Sequence, residues 1–389
     1  MSEWNECKLG DHVLINSKSI GKGYPYEEME YLDTGSITKG KIDSLQHFTL
    51  TDAPSRAKRI VKDNDVVLSM VRPIQKHYGF LRNTKPNTIV STGFVVLTNK
   101  ESIDPYFLYS FLTQDDVTEY LDVVAEGSTS AYPAFTPDVI ENLSILLPPL
   151  PEQRAIAGVL SSLDDKIALL HRQNKTLEGM AEAIWRKMFV EEADPQWNKR
   201  KLVDYGQIIC GKTPSKKVAE YFGGHIPFIK IPDMHGNVFV FETEDSLTEA
   251  GSKSQENKAI PAKSICVSCI ATVGLVGMNA VDSQTNQQIN TIIPNKEFQR
   301  FFLFLLMRNM TDDLFARASG GTATDNLNTG DFSRIEISVP PENTIQEFDD
   351  SVKAYFDKIY VNQIQIRTLA HLRDTLLPKL MSGEVRVKV

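Results

Sequence analysis

The chain has 389 residues, 41 % of them hydrophobic, and a formal net charge of −8, so it is long enough for two domains with cores of their own. Four cysteines (Cys7, Cys210, Cys266, Cys269) are too few for a disulfide framework and point to a reducing compartment. Residues 1–6 have neither a basic start nor an apolar core, and the apolar run 301–307 is far short of a membrane span, so a cytoplasmic protein without a signal peptide is expected, with 301–307 a buried helix.

In chain order, residues 1–150 read as a first globular domain. Segments 66–70, 88–90 and 94–97 are β-rich; 105–120 predicts one helix with Phe107, Leu108, Phe111 and Leu112 on a single face; 145–147 predicts a strand stopped by Pro148 and Pro149. Residues 151–195 form a central helix. Its positions Ile156, Leu160, Leu163, Ile167, Leu170, Asn174, Leu177, Ala181, Ile184 and Met188 follow a strict 4-3-4-3 spacing, the a/d seam of a coiled coil with one polar member, Asn174.

After this helix the chain starts again. Trp4, Asn5, Lys8 and Leu9 recur as Trp197, Asn198, Lys201 and Leu202 at an offset of 193, and Asp165-Lys166-Ile167 recurs as Asp357-Lys358-Ile359 at 192. A near-constant offset over the whole chain means a duplicated unit of globular block plus helix. The second domain is then 196–340 and the closing helix 341–389. The closing helix has its own seam, including Ile345, Phe348, Val352, Tyr355, Ile359, Asn362, Ile366, Leu369, Arg373, Leu376 and Leu380, again with one asparagine. If Asn174 meets Asn362, the helices pair antiparallel and facing positions sum to 536: Ile156 faces Leu380, Leu163 faces Arg373, Ala181 faces Tyr355 and Met188 faces Phe348. A parallel pairing would leave both amides opposite hydrocarbon, so the asparagines are expected to set the register of an antiparallel pair about 50 Å long. The expected architecture is α+β: two globular domains joined by a long antiparallel two-helix coiled coil, with a pseudo-twofold repeat.

No segment reads as a catalytic constellation. Residues 35–42 imitate a phosphate loop, but Ile42 stands where a hydroxyl would hold magnesium and no helix follows. Cys266 and Cys269 form a lone Cys-x-x-Cys whose neighbours alternate as on a buried strand; zinc would need two more ligands, for which His225 and His235 are the nearest candidates, and no metal site is expected. The net charge argues against nucleic acid as a partner, yet its distribution does not. Residues 1–100 hold 14 bases and 11 acids, 101–150 hold 9 acids and no base, and 196–340 hold 15 of each, so both blocks have bases enough for a basic face.

The chain resembles the specificity subunits of type I restriction-modification systems. The resemblance rests on the run Leu147–Ile156 (LPPLPEQRAI) leading into a heptad helix, on Cys210–Ser215 (CGKTPS) followed by Tyr221–Ile229 (YFGGHIPFI), and on the order globular, helix, globular, helix. It implies two target-recognition domains that each read half of a bipartite, asymmetric DNA site, and helices that set the spacer and dock two methyltransferase subunits. It also implies no enzyme activity on this chain: S-adenosylmethionine, ATP and magnesium belong to partner subunits, including motor-nuclease subunits, that methylate or cleave DNA. A related bipartite system whose partner fuses methylase and nuclease, and a protein-binding scaffold that has lost DNA recognition, remain open alternatives.

Double-stranded DNA needs Lys and Arg for phosphates and amide, hydroxyl or guanidinium groups for base edges. The candidates in the second domain are Lys212, Thr213, Ser215, Lys216 and Lys217, with Tyr221 beside them, and Lys230. In the first domain they are Lys18, Lys22, Tyr24 and Tyr26 at the matching place, then Arg56, Lys58 and Arg59, and Arg72, Lys76 and Tyr78. The repeated loops at Ser128 and Thr129 and at Gly321 and Thr322 add backbone N–H groups for phosphate.

Overall fold

A computed structural model describes residues 4–128, 132–319 and 325–388. The chain divides into two compact units, Met1–Ile167 with Thr368–Val389, and Ala168–Arg367. Both divisions fall inside long helices, Leu150–Arg186 and Glu342–Met381, so each unit consists of one globular block and a stretch of each helix.

In the first unit, Asn5–Lys8 pairs antiparallel with Ser144–Leu147, tying the start of the block to its end. Two four-stranded sheets lie between them. One has the order Gln46–Thr49, Glu28–Leu32, Thr88–Ser91, Ala57–Ile60; the other has the order Val13–Ile15, Phe94–Asn99, Val66–Ser69, Tyr78–Phe80. Val66–Ser69 is buried at every position, which is why it reads as a continuous apolar run instead of an alternation. The decoy phosphate loop is a hairpin of Ile37–Thr38 and Lys41–Ile42.

The single helix expected over 105–120 is two, Pro105–Leu112 and Asp115–Glu126. Asp104 caps the first by accepting from the N–H groups of Tyr106 and Phe107, and Pro105 occupies its first turn. Gln114 is extended, and Asp115 and Asp116 begin the second helix, where carboxylates favour the positive end of the dipole. The break turns Val117, Leu121 and Ala125 onto the same core as Phe107 and Leu108, a packing one straight helix would forgo.

The second unit repeats the plan. Lys199–Lys201 pairs with Glu336–Ser338, a five-stranded sheet runs Gly206–Cys210, Ile289–Pro294, Ile265–Ser268, Val276–Asn279, Phe239–Val240, and a three-stranded sheet runs Ser246–Leu247, Phe222–Ile229, Gln284–Thr285. Cys266 and Cys269 are buried at this sheet, and desolvation pushes their thiols up to about 12 and about 11. Arg300–Asn309 is the apolar helix expected at 301–307, and Thr311–Ala318 follows it.

Within the second unit the long helices are antiparallel. Asn362 Nδ2 donates to Asn174 Oδ1 at 2.8 Å, with both side chains buried. Ala181 and Trp185 share a core with Phe348, Val352 and Phe356. The seam widens here. Tyr355, expected opposite Ala181, is only partly buried, whereas its neighbour Phe356 is fully buried, stacked on Phe301 at 4.1 Å and edge-on to Phe304. The closing helix therefore buries two rows, one on the other helix and one on the globular block. After Arg186 a π-helical turn, Lys187–Glu191, sets Phe189 edge-on against Phe302 and Phe348.

In the first unit Ile156, Ala157 and Leu160 share a core with Leu380 and Met381. Arg373, expected opposite Leu163, donates its guanidinium to Asp164 Oδ1 at 2.8 Å, and the Tyr106 hydroxyl donates to the other oxygen of the same carboxylate. Pairing outweighs hydration because Arg373 is two-thirds covered, and a guanidinium, which stays charged, needs a carboxylate there to offset the water it has lost. Gln153 is 1 % exposed and receives the Asp104 N–H while donating to the Pro148 and Ser102 carbonyls. Glu152, 5 % exposed, accepts from Trp4 Nε1 and from Arg386.

The asparagine pair has a measurable energy. Asn174→Leu leaves the buried Asn362 amide without that partner and is expected to cost about 1–3 kcal/mol in urea denaturation of the full chain. Replacing both asparagines by leucine should recover that loss, because no amide is then stranded. A double variant as unstable as the single one would contradict this.

Candidate nucleic-acid interface

The second unit builds its basic loop on a close backbone contact. Residues 211–218 follow the strand Gly206–Cys210 and run against the turn between Gln284–Thr285 and Ile289–Pro294. A Cβ at Gly211 would fall 2.2 Å from the Asn286 carbonyl oxygen, so only glycine lets the two backbones meet. The Gly211 N–H donates to the Ile289 carbonyl and the Lys212 N–H to the Thr285 carbonyl. From below, Gln255 Nε2 donates to the Lys212 carbonyl at 2.6 Å and to Gln284 Oε1 at 2.7 Å. Gln284 Nε2 in turn donates to Ser252. The loop thus rests on a floor of bonded amides.

Lys212, Ser215, Lys216 and Lys217 are exposed on this loop, and among the described residues none of the three lysines forms a salt bridge. Thr213 is half-buried and donates its hydroxyl to Gln287 Oε1 at 2.7 Å. Tyr221 is half-buried and its carbonyl accepts from the Thr248 N–H, so its backbone belongs to the scaffold. Lys230 does not join the loop as a free cation. It is bound to Asp245 at 2.9 Å and Glu244 at 3.2 Å, and its hydrogen bond to Asp245 raises its pKa. That is a correction to its expected role, since its charge is already cancelled within the unit.

In the first unit the candidates separate into two places. Lys18, Lys22, Tyr24, Tyr26 and Arg56 cluster with Lys58 and Arg59, because residues 18–20 bond along the strand Ala57–Ile60: the Ile20 N–H donates to the Lys58 carbonyl and the Ile60 N–H to the Lys18 carbonyl. Lys18, Lys22, Arg56 and Lys58 are exposed there, and among the described residues none of them forms a salt bridge. Tyr24 meets Tyr26 edge-on at 5.5 Å, and burial pushes its phenol up. The Tyr24 hydroxyl and Arg59 Nε are buried with no hydrogen-bond partner among the described residues.

Arg72, Lys76 and Tyr78 lie elsewhere, beside the acidic helix Asp115–Glu126. Arg72 is exposed on a left-handed backbone (φ 47). Lys76 is bonded to Asp115 at 2.5 Å, and the Ile74 N–H donates to Asp122. Tyr78 is buried, edge-on to Tyr109, with its hydroxyl pushed up to about 12 by desolvation. Lys76 and Tyr78, expected to face nucleic acid, make their contacts within this unit: the first has its own counter-ion and the second is buried, with 8 % of its surface exposed. Ser128 is half-buried, with its hydroxyl oxygen 3.5 Å from the Ala134 N–H; Thr129, Gly321 and Thr322 lie outside the described residues.

Sequence reasoning missed the run Gln284–Asn290. Its signal was present, since five of its seven residues are Asn or Gln in a stretch flanked by strands. Polar composition reads as a solvated loop, whereas here Gln284, Thr285, Asn286 and Asn290 are buried and only Gln287 is exposed.

With this geometry in hand, the chain matches the family described as the type I restriction modification DNA specificity domain over residues 1–179 and again over 195–368. It is 36 % identical to the specificity subunit of the type I restriction enzyme HindI of Haemophilus influenzae, across 99 % of this chain and 100 % of that one. It is 26 % identical to the specificity subunit of the enzyme MjaIX of Methanocaldococcus jannaschii, across 85 % of this chain and 79 % of that one. A crystal structure of a type I restriction-modification S subunit from M. genitalium has the same fold, with a TM-score of 0.59 and 15 % identity over 98 % of this chain and 96 % of that one.

The exposed lysines set the test of the interface. Lys216→Ala and Lys217→Ala together should weaken duplex binding and flatten the dependence of log affinity on log salt by roughly one unit per lost phosphate contact. Fluorescence anisotropy across a salt series reads the slope, and an unchanged slope removes this loop from the interface.

Proposed function

The chain belongs to the type I restriction modification DNA specificity family, and we propose that it reads a bipartite, asymmetric duplex site, one half with each globular block. It is a DNA sequence-specificity subunit of a type I restriction-modification system, a recognition subunit and not itself an enzyme. One observation carries the two-half reading: the family match falls twice, each time on one globular block together with the helix that follows it. Two readers of different sequence address two different half-sites. The cationic loops hold phosphates and so set position, while amide and hydroxyl groups between them carry the base information.

In this reading the helix pair sets the spacer between the half-sites, and its outer faces dock two methyltransferase subunits. Those partners carry S-adenosylmethionine, and motor-nuclease subunits carry ATP and magnesium; this chain contributes no cofactor. The acidic surface favours protein partners with basic faces: residues 101–150 hold 9 acids and no Lys or Arg.

The matched seams supply the test. Deleting residues 167–173 together with 363–369 removes facing layers and keeps Asn174 opposite Asn362. Seven residues of helix rise about 10 Å, so the recognised spacer should shorten by about three base pairs while both half-sites stay the same. Methylome sequencing of cells carrying the shortened chain and its methyltransferase reads the outcome, and a spacer of unchanged length would refute the ruler.

A further inference from the structure

We propose that Gln287 is a specificity-determining residue of the second unit, a side-chain amide held in position to read one adenine edge through the major groove. The inference rests on the DNA-reading function above and names the residue that would perform it. Three observations converge on this side chain. Gln287 is the exposed member of a turn, residues 286–288, whose neighbour Asn286 is buried and bonded to Gln288 through both its side-chain nitrogen and its side-chain oxygen. The turn is therefore locked from inside while one amide projects outward. The Thr213 hydroxyl then donates to Gln287 Oε1 at 2.7 Å, which fixes the remaining rotation of that amide. The same hydroxyl belongs to the loop that carries Lys212, Lys216 and Lys217, so phosphate-seeking charge and the amide share one rigid support through the Gly211 contact.

The chemistry selects the base. With one lone pair of Oε1 taken by Thr213, the group keeps a second lone pair and two N–H donors. One donor and one acceptor on a single planar amide match adenine N7 and N6 in the major groove, the pairing Gln makes with bidentate geometry. Lysines beside it have no acceptor and cannot make that distinction. Orienting the amide before binding also removes the cost of ordering a long, flexible side chain at the interface. The corresponding turn of the first unit, between Thr88–Ser91 and Phe94–Asn99, is Thr92-Gly93, preceded by Ser91, and has no amide; there the exposed Arg56 lies alongside, its carbonyl accepting from the Thr92 N–H. The two units thus differ in side-chain chemistry at the place where a base would be read.

The test uses the full chain assembled with its methyltransferase partner and a library of duplexes randomised at every position of the site. The wild-type complex should select a bipartite motif. Gln287→Ala should lose discrimination at one base pair of one half-site by roughly 5- to 150-fold. The other half-site and the salt slope should not change. Gln287→Glu should shift that position toward cytosine, whose amino group a carboxylate accepts. Thr213→Val should relax the same position, and Thr213→Ser, which keeps the hydroxyl, should restore it. If the wild-type complex selects a motif and Gln287→Ala leaves every position intact, this assignment falls while the DNA-reading function stands. If the wild-type complex selects no motif, the function itself is overturned and the assignment with it.

Discussion

The second unit is organised by one requirement: the amides of Asn174 and Asn362 must meet. Each is buried in a seam of hydrocarbon, where an amide without a partner costs about 1–3 kcal/mol, and a single hydrogen bond at 2.8 Å joins them. Sliding one helix by a heptad would strand both. The register this selects decides which face the closing helix turns to the globular block. Phe348, Val352, Phe356 and Ile359 then fall on the core that contains Phe301 and Phe304. A polar pair that adds little net stability thereby specifies where a large apolar surface is buried.

The first unit uses polar ties of another kind. Gln153 has its side-chain carbonyl and its amide nitrogen both engaged with the backbone of the block, and Glu152 gathers Trp4 and Arg386. Asp164 joins Arg373 of the closing helix to Tyr106 of the block. These contacts explain why the Pro-Glu-Gln run stands at the start of the helix: its charged and amide side chains are scaffold parts that join helix to block, and they do not face solvent.

Net charge proved a poor guide to partners for a spatial reason. The chain is acidic overall, but part of its acid is spent inside the units. Asp115 neutralises Lys76, and Glu244 and Asp245 neutralise Lys230. What remains on the second unit's loop is three exposed lysines over a floor of bonded amides. Affinity for a polyanion depends on such local clusters within a Debye length of about 8–10 Å, not on the total.

Two local rules made most of the architecture legible in the sequence. A 4-3-4-3 apolar spacing marks a helix with a buried seam, and a near-constant offset of 192–193 residues marks a repeated unit, so the helices, the duplication and the meeting of Asn174 with Asn362 follow from residue order. Tertiary structure decided what spacing cannot encode. The burial of Phe356 beside the seam, the capture of Arg373 by Asp164 and the neutralisation of Lys76 and Lys230 each depend on a side chain from a distant segment. The same holds for the amide run at 284–290, whose composition suggests a solvated loop until the loop at Gly211 and the side chain of Gln255 pack against it. Periodicity reports what one element does with its own neighbours in the chain; which charge is cancelled and which amide is left facing outward is settled only when segments far apart in sequence come within hydrogen-bond distance.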